Sequence, residues 1–243
     1  MPKRNASRLY QARLARRGEG VASKPVPDAI KILKEMGAEK LARKHKGARP
    51  RKEFDQTVEV VLHLGIDPAQ ADQMIRGALS LPKGIGKSKN VIAFCPDDMA
   101  DAAKAAGATE AGGDALIKKV SEGWMDFDVA VAHPSVMGKV GKLGRVLGPS
   151  GKMPSPKSGT VTADIEKAVK EYGAGKVEYR NDKGGNVHAV VGKLSFSESD
   201  LQENIEAFIE HIRRSKPTTS KGAFFKKVCI SATMTPSVTL DVA

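Results

Sequence analysis

The apolar residues of this chain follow two patterns, and the pattern changes twice along the sequence. Apolar and polar residues alternate in Thr57–Leu64, and alternation returns in Lys176–Asn181 and Val187–Gly192. This period of two indicates strands with one buried face. Between these regions, the short runs Asn90–Phe94 and Val129–Ala132 are apolar throughout and alternate with helical segments. Such strands are typical of parallel sheets buried on both faces.

The return of the first pattern after the second predicts that one domain is inserted into another. The predicted fold class is α/β (α+β) with two domains. The outer domain would comprise residues 1–83 and 176–243 and carry an open antiparallel sheet with helices. The inner domain would comprise residues 84–175 and carry parallel βαβ units. At 243 residues, the chain can bury a sizeable core, and its length alone predicts one or two domains.

Other segments have the signatures of single helices, strands and turns. Residues 199–214 place five apolar side chains on one helical stripe, and Pro217 follows them. The run Asp182-Lys183-Gly184-Gly185 indicates a hairpin turn between the alternating runs that flank it. The remaining predictions are helices at Pro27–Lys46, Pro96–Ala106, Gly113–Ser121 and from an N-cap at Thr162 to about Gly173, and strands at Gln73–Leu81 and Lys226–Met234.

The excess positive charge lies at the start of the chain. Residues 1–52 contain 16 Lys and Arg against 4 Asp and Glu, so their surplus equals the whole net charge of +12. A basic arm on a folded body usually binds nucleic acid, with an anionic membrane surface as the lesser alternative. The arm has no amphipathic aromatic face, which favours nucleic acid. An organelle transit peptide would share the Arg-rich start, but we favour a retained RNA-contacting tail.

Positive charge is also concentrated in Gly138 to Thr162, called the basic region below. Its sequence is GKVGKLGRVLGPSGKMPSPKSGTVT. No acidic residue occurs between Asp128 and Asp164. Six glycines and three prolines predict a loop of defined shape, outside regular structure, that suits phosphates. Its cations are Lys139, Lys142, Arg145, Lys152 and Lys157.

The region does not match the usual nucleotide-binding motifs. GxGxxG is absent, and a Walker loop would need Ser or Thr where Met153 follows Gly151-Lys152. Near Gly86-Lys87-Ser88, the required earlier glycine is replaced by Leu81. A phosphotransferase or NTPase using Gly84–Ser88 or Gly148–Lys152 is therefore the less favoured alternative to a polyphosphate backbone as ligand.

Catalytic and metal-binding patterns are also missing from the sequence. The five histidines have no metal-ligand spacing, and no GxSxG or distinctive carboxylate pair occurs. Cys95 and Cys229 lie in apolar, strand-like runs typical of buried reduced thiols. No apolar run reaches the roughly 18 residues of a membrane-spanning helix. The sequence therefore predicts neither an enzyme nor a membrane protein, and no cofactor or metal.

Several motifs resemble one protein family in the same order along the chain. The run GKLGRVLGPSGKMPSPKSGTVT resembles the signature of the family of large ribosomal subunit protein one. The motifs LGIDP at Leu64–Pro68, Gln73–Leu81 continuing into LPKG, and GWMDFD at Gly123–Asp128 are similar to the same family. The resemblance extends from about Phe54 to Val242. It implies an RNA-binding outer domain and an inserted Rossmann-like domain that binds no dinucleotide.

The resemblance also implies where RNA would bind. Phe54 and Thr57 align with the family's Phe and Thr at its RNA contact, and Ser231-Ala232-Thr233-Met234 aligns with a Thr-Met segment beside them. A hydroxyl and a thioether can approach ribose 2′-hydroxyls closely. The candidate residues are Arg51, Lys52, Phe54, Thr57, Lys183, His188, Ser231, Thr233 and Met234 in the outer domain, with Lys139, Lys142, Arg145, Lys152 and Lys157 as a weaker clamp in the inner domain.

Three positions depart from the family pattern. Glu53 stands where a cation usually precedes the Phe, Lys227 replaces a small hydroxyl residue, and Thr235 replaces the glycine after Met. Residues 37–52 are extra length before the first strand, and we expect their cations to offset Glu53 with additional phosphate contacts.

By resemblance, the chain would be a bacterial-type structural constituent of the large ribosomal subunit in the cytoplasm, monomeric when free. It would bind large-subunit (23S-type) rRNA at the mobile stalk near the tRNA exit site and assist release of deacylated tRNA. It would also repress translation of its own operon mRNA. The alternative is a general RNA-binding protein or RNA chaperone outside the ribosome, whose binding would depend on salt but not on the fold of the RNA.

Overall fold

The computed structural model describes residues 8–17, 23–38, 54–70 and 72–242. Arg51, Lys52, the extra length before the first strand and the second half of the predicted helix Pro27–Lys46 lie largely outside these ranges. The helices of four or more residues are α1 (Arg8–Arg17), α2 (Val26–Ala38), α3 (Ala100–Ala105), α4 (Asp114–Ser121), α5 (Met137–Val140), α6 (Gly144–Leu147), α7 (Ile165–Gly173) and α8 (Glu198–Arg214). The strands are β1 (Thr57–Leu64), β2 (Arg76–Leu79), β3 (Val91–Phe94), β4 (Glu110–Gly112), β5 (Val129–Ala132), β6 (Val177–Arg180), β7 (Asn186–Lys193), β8 (Phe225–Ala232) and β9 (Val238–Leu240).

The chain divides into two compact units. One comprises the described residues of Met1–Met74 together with Arg180–Ala243, and the other is Ile75–Tyr179. The predicted α/β fold class is confirmed, because the first unit carries an antiparallel sheet and the second a parallel sheet of three strands. The unit bounds differ from those of the predicted domains, since β2 and β6 pair with each other. The domain assignment itself stays a prediction.

The first unit is built on an antiparallel sheet in the order β7-β1-β8-β9. The predicted alternation of β1 is confirmed: Val58, Val60, Leu62 and Leu64 are buried, whereas Glu59 is exposed. The amphipathic helix α8 packs on β7 and α2, and α2 packs on β8 and β9. These helices bury the apolar side chains of one sheet face, and the other face, called the open face below, carries exposed or half-buried residues of β1, β7 and β8 in the described part of the chain.

The second unit contains the parallel sheet, in the order β4-β3-β5. All four residues of β3 are buried, as predicted for a central parallel strand. Helix α7 packs on β3 and β5 and buries Tyr172. The sequence did not predict β4, which has only three residues.

The prediction that the whole of Gly138–Thr162 lies outside regular structure is wrong for its first half. Helices α5 and α6 occupy this part, separated by a 3-10 turn. Val140, Leu143 and Leu147 are all buried and pack in a cluster that includes Phe94. Their spacing of three and four residues forms a helical stripe, so burial of this stripe outweighs the poor helix propensity of the glycines.

Several element boundaries also differ from the sequence predictions. The turn at Asp182 forms, but the strands on either side of it are joined by a single bridge, Asn181 to Val187, because β6 pairs with β2 and β7 pairs with β1. Helix α7 begins after Asp164, and Thr162 instead accepts a hydrogen bond from the Asp164 N–H (3.2 Å). The strand predicted at Gln73–Leu81 is shorter, and β9 was not predicted.

Candidate nucleic-acid interface

The beginning of β1 meets the end of β8 through two threonines. The Thr57 N–H donates to Thr233 Oγ1 (3.1 Å), and the Thr233 N–H donates to the Thr57 carbonyl (3.1 Å). Lys193, at the end of β7, donates from Nζ to Thr57 Oγ1 (2.8 Å). The structure therefore brings together two of the predicted site residues, which are 176 positions apart in sequence, and fixes them to a third strand.

The turn that carries Met234 is held on both sides of the peptide chain. The Met234 N–H donates to Gln56 Oε1 (3.1 Å), and the Met234 carbonyl accepts from Arg13 Nη1 on α1 (2.5 Å). Gln56 and Arg13 are buried, at 8% and 5% exposure, whereas the Met234 side chain is 45% exposed. The backbone of the turn is thus fixed while the thioether faces solvent.

Thr235, which departs from the family pattern, closes this turn. Its N–H donates to the Ala232 carbonyl (2.9 Å), and its Oγ1 accepts from the Ala232 N–H (2.9 Å). Glycine has no side chain and would lack the second bond. The departure therefore adds a contact that shapes the turn.

Phe54 lies just before β1 and is 57% exposed. The chain next to it is anchored to the end of β7, because the Asp55 carboxylate accepts from the N–H (3.1 Å) and the hydroxyl (2.6 Å) of Ser195. Among the residues that the structure describes, the exposed large apolar side chains are Tyr10, Phe54, Met74 and Met234. Two of these four, Phe54 and Met234, lie in the segments that adjoin the Thr57–Thr233 pair.

The open face of the sheet continues away from this pair. Ser231 on β8 pairs with Glu59, and the next outward residue of β1, Val61, is flanked by exposed His188 on β7 and by Cys229 on β8. Cys229 is half-buried, whereas Cys95 is buried as predicted, and neither forms a disulfide. Ser231 thus lies near the threonine pair, and His188 lies farther along the same face.

Lys183 lies at the opposite end of β7, on a turn shaped by Asp182. The Asp182 carboxylate accepts from the Gly184 N–H (2.8 Å) and the Asn186 N–H (2.7 Å). Hydrogen bonds from Asn186 are the main reason that the pKa of Asp182 is lowered. The structure therefore separates Lys183 from the Thr57–Thr233 pair by the length of the strand.

The predicted cations of the second unit fall into two groups. Lys142, Arg145 and Lys157 are exposed. The other two make contacts within the protein, although Lys139 is exposed as well. Lys139 Nζ lies 2.8 Å from Asp114 Oδ1, and its hydrogen bond lowers the pKa of that carboxyl.

Lys152 is bound most firmly. Its Nζ donates to the carbonyls of Met125 (3.1 Å) and Phe127 (2.5 Å) and lies 4.9 Å from the centre of the Phe127 ring. These contacts of the Lys152 ammonium attach the basic region to the segment that precedes β5.

The second half of the basic region is fixed by buried polar groups. The Tyr172 hydroxyl donates to the Ser158 carbonyl (2.5 Å), and the Ser155 N–H donates to Thr160 Oγ1 (2.8 Å). Ser158 and Thr160 are each only 2% exposed. Burial raises the pKa of Tyr172, which therefore stays protonated as a donor. Sequence reasoning missed this role of Tyr172; its one signal is a phenol on the apolar stripe of α7.

Comparison with known proteins gives a consistent assignment. The model of the ribosomal protein L1p/L10e family matches residues 42–236. The large ribosomal subunit protein uL1 of Nocardioides sp. is 53% identical over 191 residues, which cover 79% of this chain and 80% of the relative. The protein of the same name from Beutenbergia cavernae is 53% identical over 190 residues (78% and 80%), and that from Clavibacter michiganensis subsp. michiganensis is 50% identical over 215 residues (88% and 89%).

Within the described parts of the chain, no helix has the length and apolar character needed to span a bilayer. The L1 family consists of structural ribosomal proteins and not of enzymes. The family match and the three relatives cover most of the sequence, in agreement with the resemblance of its motifs. The chain therefore belongs to the ribosomal protein L1p/L10e family.

Proposed function

We propose that this chain binds large-subunit rRNA at the mobile stalk near the tRNA exit site, using the sheet end formed by Thr57, Thr233 and Met234. The family assignment makes it a structural protein of the large ribosomal subunit, and rRNA binding is general in that family. Beyond this, we propose which part of the rRNA is bound and which residues bind it.

One observation carries this proposal. At this sheet end, neutral hydroxyls and exposed apolar side chains are held by a fixed backbone: Thr57 and Thr233 bond each other, and the peptide groups of Met234 bond Gln56 and Arg13. Folded RNA is recognised largely through its shape, its 2′-hydroxyls and its unstacked bases. Hydroxyls can pair with ribose, and Phe54 and Met234 can cover these hydrogen bonds and exclude water, which strengthens them.

The exposed cations have a second role in the proposal. Lys183 in the first unit and Lys142, Arg145 and Lys157 in the second would contact phosphates. Such contacts raise affinity for any RNA and depend on salt, but carry no sequence information. The second unit would therefore clamp the RNA more weakly and less selectively than the sheet end.

The same surface supports two further proposals. When bound at the stalk, the protein would assist release of deacylated tRNA. As a free monomer in the cytoplasm, it would repress its own operon mRNA by binding a similar RNA fold. Adding purified protein to a translation reaction tests the repression: output from its own mRNA should fall while output from an unrelated mRNA stays constant.

The central test is a gel-shift titration with the stalk rRNA fragment and with a random RNA of equal length. The wild type should bind the fragment more tightly. Met234→Ala should weaken binding to the fragment by about tenfold, because burial of an exposed methionine side chain is worth about 1.5–3 kcal/mol, and should change binding to random RNA less than about twofold. Lys142→Ala should weaken binding to both RNAs by a similar factor.

Each other outcome has a defined meaning. Equal losses on both RNAs for both variants would contradict the division of roles. A wild type that binds both RNAs equally would be an RNA chaperone or general RNA-binding protein. Saturable binding of a nucleoside triphosphate, abolished by Lys87→Ala or Lys152→Ala, would instead support the phosphotransferase or NTPase alternative.

A further inference from the structure

The turn after α8 carries a concentration of cations that the function proposed above does not use. No Asp or Glu occurs between Glu210 and Asp241. Arg214 pairs with Glu210 through Nε (3.1 Å). The other cations of this segment form what we call the second basic surface, and all of them are exposed: Arg213, Lys216, Lys221, Lys226 and Lys227.

These cations lie on a firmly anchored segment. The Gly65 N–H donates to the Phe224 carbonyl (2.7 Å), and the buried Ser220 hydroxyl donates to the Gly65 carbonyl (2.9 Å). A Cβ at Gly65 would lie 2.2 Å from the Ala223 carbonyl oxygen, so only glycine permits this approach. The Arg213 guanidinium also lies 5.8 Å from the centre of the Phe225 ring.

A groove of about 620 Å³ lies between this segment and the end of β1, with Lys221 and Lys226 in its lining. One carboxylate, that of Asp67, also lines the groove. Its oxygens already accept hydrogen bonds within their own loop, from the Ala69 N–H (3.1 Å) and from Gln70 Nε2 (3.2 Å). Two lysines and one hydrogen-bonded carboxylate thus line the groove, and Asp67 reduces the local positive potential.

The second basic surface is continuous with the open face of the sheet. Lys227 pairs with outward-facing His63 on β1, just as Ser231 pairs with Glu59 nearer the proposed rRNA site. Strand β8 joins the two regions. At a rise of about 3.3 Å per residue, Lys227 and Thr233 lie about 20 Å apart along the sheet.

We propose that the second basic surface binds phosphates of the same RNA that contacts Thr233 and Met234, so that the bound RNA follows β8 along its length. This inference rests on the function proposed above. An RNA backbone fits the surface because it supplies regularly spaced negative charges over this distance, and because several cations on a rigid segment match several phosphates. An acidic protein segment would be a different partner, and the test below separates the two.

The test uses the double variant Lys226→Gln, Lys227→Gln and nested stalk rRNA fragments of increasing length. The control, Lys31→Gln with Lys170→Gln, removes the same charge from exposed positions on α2 and α7. On fragments long enough to reach the second basic surface, the test variant should bind about 3- to 10-fold more weakly. The slope of log K against log salt should fall by about 1 to 2, since each lost phosphate contact removes about 0.7–0.9 from it.

On the shortest fragment that still shows preference over random RNA, the test variant should change affinity less than twofold. The control variant should change it little on any fragment. The inference would be overturned if the test variant lost equal affinity for short and long fragments, or lost no more affinity than the control variant. Unchanged affinity for all fragments would also overturn it and would favour a partner other than RNA. Failure of the proposed function would be visible separately, because the wild type itself would then show no preference for stalk RNA.

Discussion

The two regions that we propose to bind RNA are built in opposite ways. At the sheet end, Thr57, Thr233 and the Met234 peptide bond one another or buried polar groups, and apolar side chains are left exposed. In the basic region of the second unit, the charges are conspicuous in the sequence, yet Lys139 and Lys152 make contacts within the protein. Cation content in a sequence is therefore a poor measure of the charge that a surface offers to RNA, whereas rigid neutral groups can supply selectivity.

The comparison is tested most strongly at Arg13. Arg13→Gln removes the charged donor to the Met234 carbonyl, a type of hydrogen bond that stabilises a folded protein by about 1.5–3 kcal/mol. Because the turn would then no longer be held in the binding geometry, we expect the stalk fragment to bind about tenfold more weakly. Arg16→Gln removes an equal charge from an exposed position of the same helix and should cost at most about twofold. Gel shifts with fragment and random RNA measure both. Equal losses for the two variants would show that α1 acts only through its charge.

The second test compares Lys152 with Lys142. Lys152→Gln should lower the stability of the protein by about 1–2 kcal/mol, or roughly 2–8 °C in melting temperature, because two backbone carbonyls lose a charged donor. Lys142→Gln should leave the melting temperature unchanged and weaken RNA binding. Calorimetry measures the melting temperature of both variants, and gel shifts measure their affinity for RNA. The reverse result would mean that Lys152 is a phosphate contact.

A third, smaller effect is expected at Tyr172. Tyr172→Phe removes only the hydroxyl that donates to the Ser158 carbonyl, which should cost about 1 kcal/mol and about 2–4 °C. Thr160→Val, which removes the acceptor of the Ser155 N–H, should have a similar effect. Selectivity for stalk RNA, measured as the ratio of affinities for fragment and random RNA, should stay constant in both variants. A loss of that ratio would show that the basic region contributes to selectivity.

The smallest effect concerns the turn that carries Lys183. Because hydrogen bonds lower the pKa of Asp182 in the folded protein, they stabilise the turn above the pKa of an unfolded aspartate. This contribution is lost as the pH falls through the lowered folded value. NMR titration of the Gly184 and Asn186 amides should show one transition below the ordinary aspartate range, absent in Asp182→Asn. A midpoint at or above that range would contradict the assignment.

The sequence was sufficient to predict the fold class and several strands, but only part of the candidate site. The alternation of Val58 to Leu64 and the apolar run of β3 were sufficient to predict their strands and the fold class. The helices α5 and α6 were missed because glycine content concealed the stripe of Val140, Leu143 and Leu147. The roles of Arg13 and Lys152 could not be predicted, because each depends on backbone carbonyls that are distant in sequence, 221 positions away for Arg13.

The bond between Thr57 and Thr233 also determines when the site can exist during synthesis. Ribosomes add roughly 5–20 residues per second, so the 176 positions that separate the two threonines take roughly 10 to 35 s to make. During most of this interval β1 lacks both of its neighbours, because β7 begins only at Asn186 and β8 only at Phe225. The sheet end that we propose to select rRNA can therefore form in a nascent chain only after β8 has been made, so incomplete chains would lack the proposed selective surface.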